Sequence, residues 1–219
     1  MTTKQLSLEH LIKPSNKEGK APLILLLHGY GSDQHDLFSF ASELPDEYIV
    51  VSAKAPHQLQ PYGNAWYAIN FDAQQGKFSD IEQAVESREM IVKFIEELKE
   101  NYPIDGNQIT LFGFSQGTIL SFATAFSKPE LIKNVIGLSG YIDQNMFDTS
   151  SLKKDDLKHL SIYNSHGTQD QVIPVEWARK NKDFFEKYGL DYTYEEYPVG
   201  HGVNPQNFQS LKNWLLKNA

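Results

Sequence analysis

The segment Gly113-Phe114-Ser115-Gln116-Gly117 puts a hydroxyl between two glycines, where the apolar run Gln108–Phe112 meets a stretch of helical periodicity beginning near Gln116. A serine displayed on so tight a strand-to-helix turn needs small neighbours two residues to either side, because side chains there would collide with the adjoining strand and helix. The turn also aims a helix N-terminus, with its free backbone N–H groups, at the serine. A serine hydroxyl is a poor nucleophile at neutral pH; it needs a base, and the base needs an acid that fixes its tautomer. Two later segments offer them. Ser165-His166-Gly167-Thr168-Gln169-Asp170 follows an apolar run and precedes Val172-Ile173-Pro174, while Gly200-His201-Gly202 follows the last apolar run and precedes the final helical stretch. Ser115, Asp170 and His201 therefore stand in the chain order of nucleophile, acid and base expected when three loops leave one end of a parallel sheet. The chemistry they suit is acyl transfer through a covalent acyl-serine.

A third glycine-rich turn, Leu26-Leu27-His28-Gly29-Tyr30-Gly31-Ser32, also ends an apolar run. In such a fold the second oxyanion donor comes from this loop, so the expected donors are the backbone N–H groups of Tyr30 and Gln116. A dinucleotide fingerprint G-x-G-x-x-G would need glycine where Gln34 stands. His28, Asp33, His35 and Asp36 have the right side-chain types for a metal, but their spacing fits no ligand motif, and neither metal nor cofactor is expected. His28 and His166 each end an apolar run and read as packing or loop-orienting groups. His10, His35, His57 and His159 lie away from the three turns.

These turns need elements to hold them. Apolar runs and amphipathic stretches alternate from about residue 21, the pattern of an α/β fold with a mostly parallel central sheet and helices on both faces. Strands are expected at Pro22–Leu27, Tyr48–Ser52, Gln108–Phe112, Asn134–Leu138, Leu160–Ser165 and Tyr192–Tyr197. Leu6 to Ile12 alternates apolar and polar residues and fits one or two antiparallel strands before the parallel set. Ser79-x-x-Glu82 reads as a capping box opening a helix with Ile81, Ala84, Val85, Ile91, Ile95 and Leu98 on one face. Further helices are expected at Gln116–Ser127, Val175–Tyr188 and Pro205–Lys217. Only about twenty residues separate the strand ending near Leu138 from that starting at Leu160, which leaves no room for a cap domain. The stretch Pro56 to Phe78 would then roof an open cleft, with Tyr62, Trp66, Tyr67, Phe71 and Phe78 available to an acyl chain.

Composition narrows the partners. The chain has 219 residues, a length suited to one domain spanning 1–219, and 20 Lys+Arg against 28 Asp+Glu give a formal charge of −8. That sign disfavours nucleic acid and anionic lipid surfaces. The chain has no cysteine, which excludes disulfides, thiolate metal sites and a cysteine nucleophile, and leaves Ser115 as the nucleophile. The N-terminus lacks an apolar secretory core, and Leu23 to Leu27 is far shorter than the roughly 20 residues that span a bilayer, so a cytoplasmic protein without stable membrane insertion is expected. An exposed apolar cleft suits substrate or a second copy of the chain, so a homodimer fits as well as a monomer.

The segments LLHGYGSDQHDLF, AWYAINFD, LFGFSQGTILS, SHGTQDQVIPVEWA and YPVGHGV, in this order over nearly the whole length, resemble the phospholipase/carboxylesterase family of α/β-hydrolases, which includes the acyl-protein thioesterases. The resemblance implies a serine esterase acting on a small-molecule acyl ester, with Ser115 as nucleophile, Asp170 as acid, His201 as base and Tyr30 and Gln116 as oxyanion donors. It also places Trp66 in an aromatic stretch beside the acyl-binding cleft. The chain departs from the family where Thr118 and Gln171 replace a common glycine and proline. HGYGSDQHDLF is closest to bacterial-type members, which implies hydrolysis of small to medium-chain esters ahead of protein deacylation. An acyl thioesterase or lysophospholipase would use the same three residues, whereas an idle binding module would need none of them.

Overall fold

The seven residues Ala21–Leu27 form a strand whose alternation divides the molecule into layers: Leu23, Leu25 and Leu27 enter one core, Ile24 and Leu26 the other. A strand buried on both faces is the mark of a parallel sheet covered by helices on each side. The computed structural model describes residues 3–72 and 76–218, and the side chains of residues 71–78 fall outside the description. In chain order it contains β1 (His10–Lys13), β2 (Ala21–Leu27), α1 (His35–Phe38), β3 (Ile49–Ala53), β4 (His57–Gln58) and β5 (Asn64–Ala65). There follow β6 (Ile69–Asp72), β7 (Gly76–Ser79), α2 (Ile81–Asn101), β8 (Ile104–Phe114), α3 (Gln116–Ser127) and β9 (Asn134–Leu138). The last part holds α4 (Lys154–Leu157), β10 (Ser161–Gly167), α5 (Val175–Arg179), α6 (Asn181–Tyr188), β11 (Asp191–Tyr197) and α7 (Pro205–Lys217).

The main sheet runs β1-β3-β2-β8-β9-β10-β11. β1 pairs antiparallel with β3, and every other neighbouring pair is parallel. Residues of α2, α3 and α6 build the core on one face, and residues of α1 and α7 that on the other. From β2 the chain crosses to β3 on one side, while β8 pairs on the other side, so the order reverses between β2 and β8. Such a reversal opens a crevice at the carboxyl ends of the strands. The loops after β2, β8, β10 and β11 all leave the sheet at those ends. The connection from β9 to β10 holds a single 3-10 turn at Gln144–Met146 and the short α4, and no cap domain. No helix among the described residues is long and apolar enough to cross a membrane.

Several local expectations need correction. The N-terminal segment pairs only over His10–Lys13, because the amides of Lys4 and Ser7 are taken by the Tyr102 hydroxyl and the Glu97 carboxylate instead of a neighbouring strand. The cap of α2 is Asp80, which accepts from the Gln83 N–H, since Ser79 is the last residue of β7. The helix expected over Val175–Tyr188 is broken at Lys180 into α5 and α6. The break falls just before Asn181, whose buried side chain donates to Asn164 Oδ1 and Gly140 O and accepts from the Ile142 N–H.

Among the described glycines, the one with least room for a side chain lies where α3 meets β2. A Cβ on Gly117 would overlap the Leu27 carbonyl and sit 2.8 Å from His28 O, and one on Gly113 would overlap the backbone of Gly117. Gly117→Ala is therefore expected to lose roughly 3 kcal/mol or more, because the obstacle is backbone that cannot rotate away. Thermal unfolding should show Tm lower by roughly 6–12 °C. A Tm within 2 °C of the parent would mean that α3 can move away from β2 freely.

Candidate active site

Ser115 follows the last residue of β8 and precedes the first of α3, with φ 54° and ψ −117°. A non-glycine residue in that region costs on the order of 1–3 kcal/mol and persists only where its surroundings over-determine it. Here its N–H donates to Leu138 O at 2.9 Å, and its carbonyl accepts from the Thr118 and Ile119 N–H groups. Thr118 adds a bond from its hydroxyl to the same Leu138 carbonyl at 2.7 Å. Its methyl group fills the space left by Gly137 and Gly140: a Cβ on Gly140 would come within 2.6 Å of Thr118 Cγ2.

The strained turn lifts the hydroxyl toward the loop after β11, where His201 Nε2 lies 2.9 Å from Ser115 Oγ. His201 Nδ1 lies 2.7 Å from Asp170 Oδ2. The other carboxylate oxygen, Oδ1, accepts from the Val172 and Ile173 N–H groups at 2.8 and 2.9 Å. Burial alone would raise the Asp170 carboxyl, but the bonds from His201, Ile173 and Val172 outweigh it and hold the group below its ordinary value. An ionised Asp170 obliges His201 to carry its proton on Nδ1, which leaves Nε2 free to accept the serine proton.

Tyr30 and Gln116 flank Ser115 in the same cleft. Among the described residues, neither backbone N–H donates to another protein group. Both ends of the Gln116 side chain are engaged: its carbonyl accepts from the Trp66 N–H and its amide donates to Tyr67 O, both at 2.8 Å. Trp66 itself does not reach the cleft. It is 0% exposed, its indole N–H donates to His28 O at 2.9 Å, and the Ser87 hydroxyl donates to its carbonyl. The position expected to touch substrate is instead a brace beneath the loops of Tyr30 and Gln116, because both ends of the residue are tied into backbone and amide bonds.

The cleft has a volume of about 690 Å³. Its apolar lining includes Tyr67, Ile69, Ile81, Ile119, Tyr141 and Trp177, and Asp143 and Asn145 add polar groups. Of the five aromatic residues expected to line it, Tyr67 does; Tyr62 is 79% exposed and lies elsewhere, and the side chains of Phe71 and Phe78 lie outside the described residues. Tyr141 and Trp177, edge-on with ring centroids 5.1 Å apart, carried no sequence signal: Tyr141 sits in the connection after β9 and Trp177 on the short α5, and neither setting says anything about a cleft. Among the described residues no cluster of His, Asp and Glu has the geometry of a metal site.

Two further histidines adjoin this centre, both buried. His28 Nδ1 donates to Gly29 O at 2.8 Å and Nε2 accepts from the Ala55 N–H at 3.1 Å. His166 Nε2 faces two acceptors, Ile173 O at 2.8 Å and Asp170 Oδ2 at 3.2 Å, so its proton sits on Nε2, and Nδ1 is buried without a partner among the described residues. Burial lowers the pKa of both rings despite those acceptors.

The sequence profile of the Phospholipase/Carboxylesterase family matches residues 9–219. Acyl-protein thioesterase 1 of Kluyveromyces lactis is 29% identical over 213 residues, covering 89% of this chain and 91% of the relative. Among solved structures, esterase PE8 superposes with a TM-score of 0.80 at 23% identity, over 98% of this chain and all of the other. The carboxylesterase of Bacillus cereus does so with a TM-score of 0.82 at 20% identity, over 97% of this chain and 95% of its own. The shared architecture is the α/β-hydrolase fold.

The neutral histidines fix a sign. A free imidazole titrates near 6.5, so below that pH the unfolded chain binds protons that native His28 and His166 refuse, and stability falls as the pH drops toward their lower native values. Asp170 adds a separate loss at lower pH, as its depressed carboxyl protonates. His166→Gln keeps a donor near Nε2 but cannot titrate. Denaturant unfolding between pH 6.5 and 5 should show its slope of stability against pH reduced by up to about 1.4 kcal/mol per unit. An unchanged slope would mean that native His166 takes up the proton.

Proposed function

The chain belongs to the phospholipase/carboxylesterase family, serine hydrolases of ester or thioester bonds, and from this we propose that it is a carboxylesterase cleaving small to medium-chain acyl esters at Ser115. The observation that carries the reading is the hydrogen-bonded line Ser115 Oγ, His201, Asp170, with steps of 2.9 and 2.7 Å, at the base of an apolar cleft. Ser115 Oγ attacks the ester carbonyl while His201 Nε2 takes its proton, and Asp170 stabilises the imidazolium. The Tyr30 and Gln116 N–H groups bind the tetrahedral oxyanion. His201 then protonates the departing alcohol, and water, deprotonated by the same ring, releases the acid and restores the serine. No metal or cofactor enters these steps.

The absence of a cap between β9 and β10 supports a substrate whose leaving group projects into solvent. The walls of Ile69, Ile81, Ile119 and the aromatic residues suit an unbranched acyl chain. A thioesterase reading is favoured by the names of several curated relatives, the Kluyveromyces lactis protein among them, which are acyl-protein thioesterases. The same steps serve a thioester, with a thiolate leaving in place of an alcohol. Rates on an ester and a thioester of one acyl chain separate the two readings.

Labelling by a fluorophosphonate probe should be complete in the parent and absent in Ser115→Ala, whose kcat should fall about 10⁴-fold or more. An unlabelled parent would overturn the hydrolase chemistry. With p-nitrophenyl esters from C2 to C12, kcat/KM should rise by up to about fourfold per methylene until the chain outgrows the cleft, since a buried methylene is worth about 0.8 kcal/mol. Equal values across the series would exclude an acyl-binding role for these walls.

A further inference from the structure

We infer that His28 is a positioning residue for the reaction, holding the Gly29–Tyr30 peptide so that the Tyr30 N–H faces the oxyanion. The inference rests on the proposed role of Tyr30 as an oxyanion donor. The Gly29–Tyr30 bond is trans, so its C=O and N–H point in opposite directions, and whatever grips the carbonyl aims the amide. Two donors grip it, His28 Nδ1 at 2.8 Å and the Ser32 N–H at 3.3 Å. Gly29 itself lies against the nucleophile, since a Cβ on it would stand 3.3 Å from Ser115 Cβ.

The His28 ring is held at both nitrogens and packed against an aromatic neighbour. The Ala55 N–H donates to Nε2, which holds the proton on Nδ1, where the Gly29 carbonyl needs it. Trp66 lies across the ring with centroids 5.6 Å apart, and its indole N–H holds the His28 carbonyl. The rest of the loop is laced to Asn64: Gly31 N–H donates to Asn64 O at 2.9 Å, and Asn64 N–H donates to Ser32 O at 2.7 Å. Because the Trp66 backbone N–H is bound to the Gln116 side chain, one residue ties the His28 carbonyl, one peptide ahead of the Tyr30 donor, to the side chain of the residue that carries the second proposed donor. A buried imidazole placed only for packing would need neither the Nδ1 tautomer nor a bond to the peptide beside the nucleophile. An oxyanion donor moved by a fraction of an ångström loses much of its effect on the transition state and little on substrate binding.

The test compares His28→Leu, His28→Asn and His28→Gln in the full chain, with active sites counted by fluorophosphonate labelling. Asn sets its amide nitrogen near Nδ1 and can donate to Gly29 O; Gln sets its amide near Nε2 and serves Ala55 alone. His28→Leu should lose kcat by about 10–100-fold with KM within threefold. Affinity for a trifluoromethyl ketone, whose adduct with Ser115 carries an oxyanion, should fall in parallel, while affinity for the carboxylic acid product stays unchanged. Asn should recover about tenfold in kcat and Gln should not. If Leu fails to fold, the Asn and Gln pair makes the same comparison. Equal kcat for Asn and Gln, or equal loss of affinity for ketone and acid, would overturn the positioning role. A parent that takes no label would overturn the proposed function instead.

Discussion

The structure depends on the contact of Gly117 with the carbonyl end of β2. Because α3 can approach β2 so closely, the chain turns from β8 into α3 within one residue, and that residue is forced to a positive φ. The sheet bears the cost of this backbone: two parallel neighbours flank β8, and Leu138 at the end of β9 takes the Ser115 N–H. A hydroxyl on a strained but rigid turn needs little further ordering before it reacts, which is how a small protein spends fold stability on the placement of one atom.

Around this point the polar groups have few choices of protonation. Asp170 is held ionised by two amides and a histidine, His28 carries its proton on Nδ1, and His166 carries its own on Nε2. Each tautomer follows from the neighbours that face each nitrogen. The result is one imidazole, His201, with a ring nitrogen turned to the cleft, while burial favours the neutral form of the other two.

Much of this was legible in the sequence, for definite reasons. β2, β3 and β9 are continuous apolar runs, as strands buried on both faces must be, and each is found within one residue of its expected limits. The segments bearing Ser115, Asp170 and His201 stand out because glycines and strand ends mark sharp turns. The contributions of Trp66, Tyr141 and Trp177 were not legible, because an aromatic residue has the same composition signal whether it braces a loop or lines a cleft. Only the distant partners, Gln116 and His28 for Trp66, distinguish the two, and no local spacing encodes a contact 50 residues away. The N-terminal strand and the cap of α2 were displaced for a related reason: side-chain partners elsewhere in the chain claimed the amides, or a neighbouring strand claimed the residue.

The space for the Thr118 methyl group is supplied from across the interface by Gly137 and Gly140. The absence of side chains at 137 and 140 and the presence of one at 118 are two sides of one contact, so a change at any of the three positions is felt at the others. A side chain at 140 would displace the one at 118, and with it the hydroxyl bond to the Leu138 carbonyl that also takes the Ser115 N–H. Thr118, Gly137 and Gly140 thus form one packing unit, whose single side chain also ties the turn at Ser115 to the end of β9.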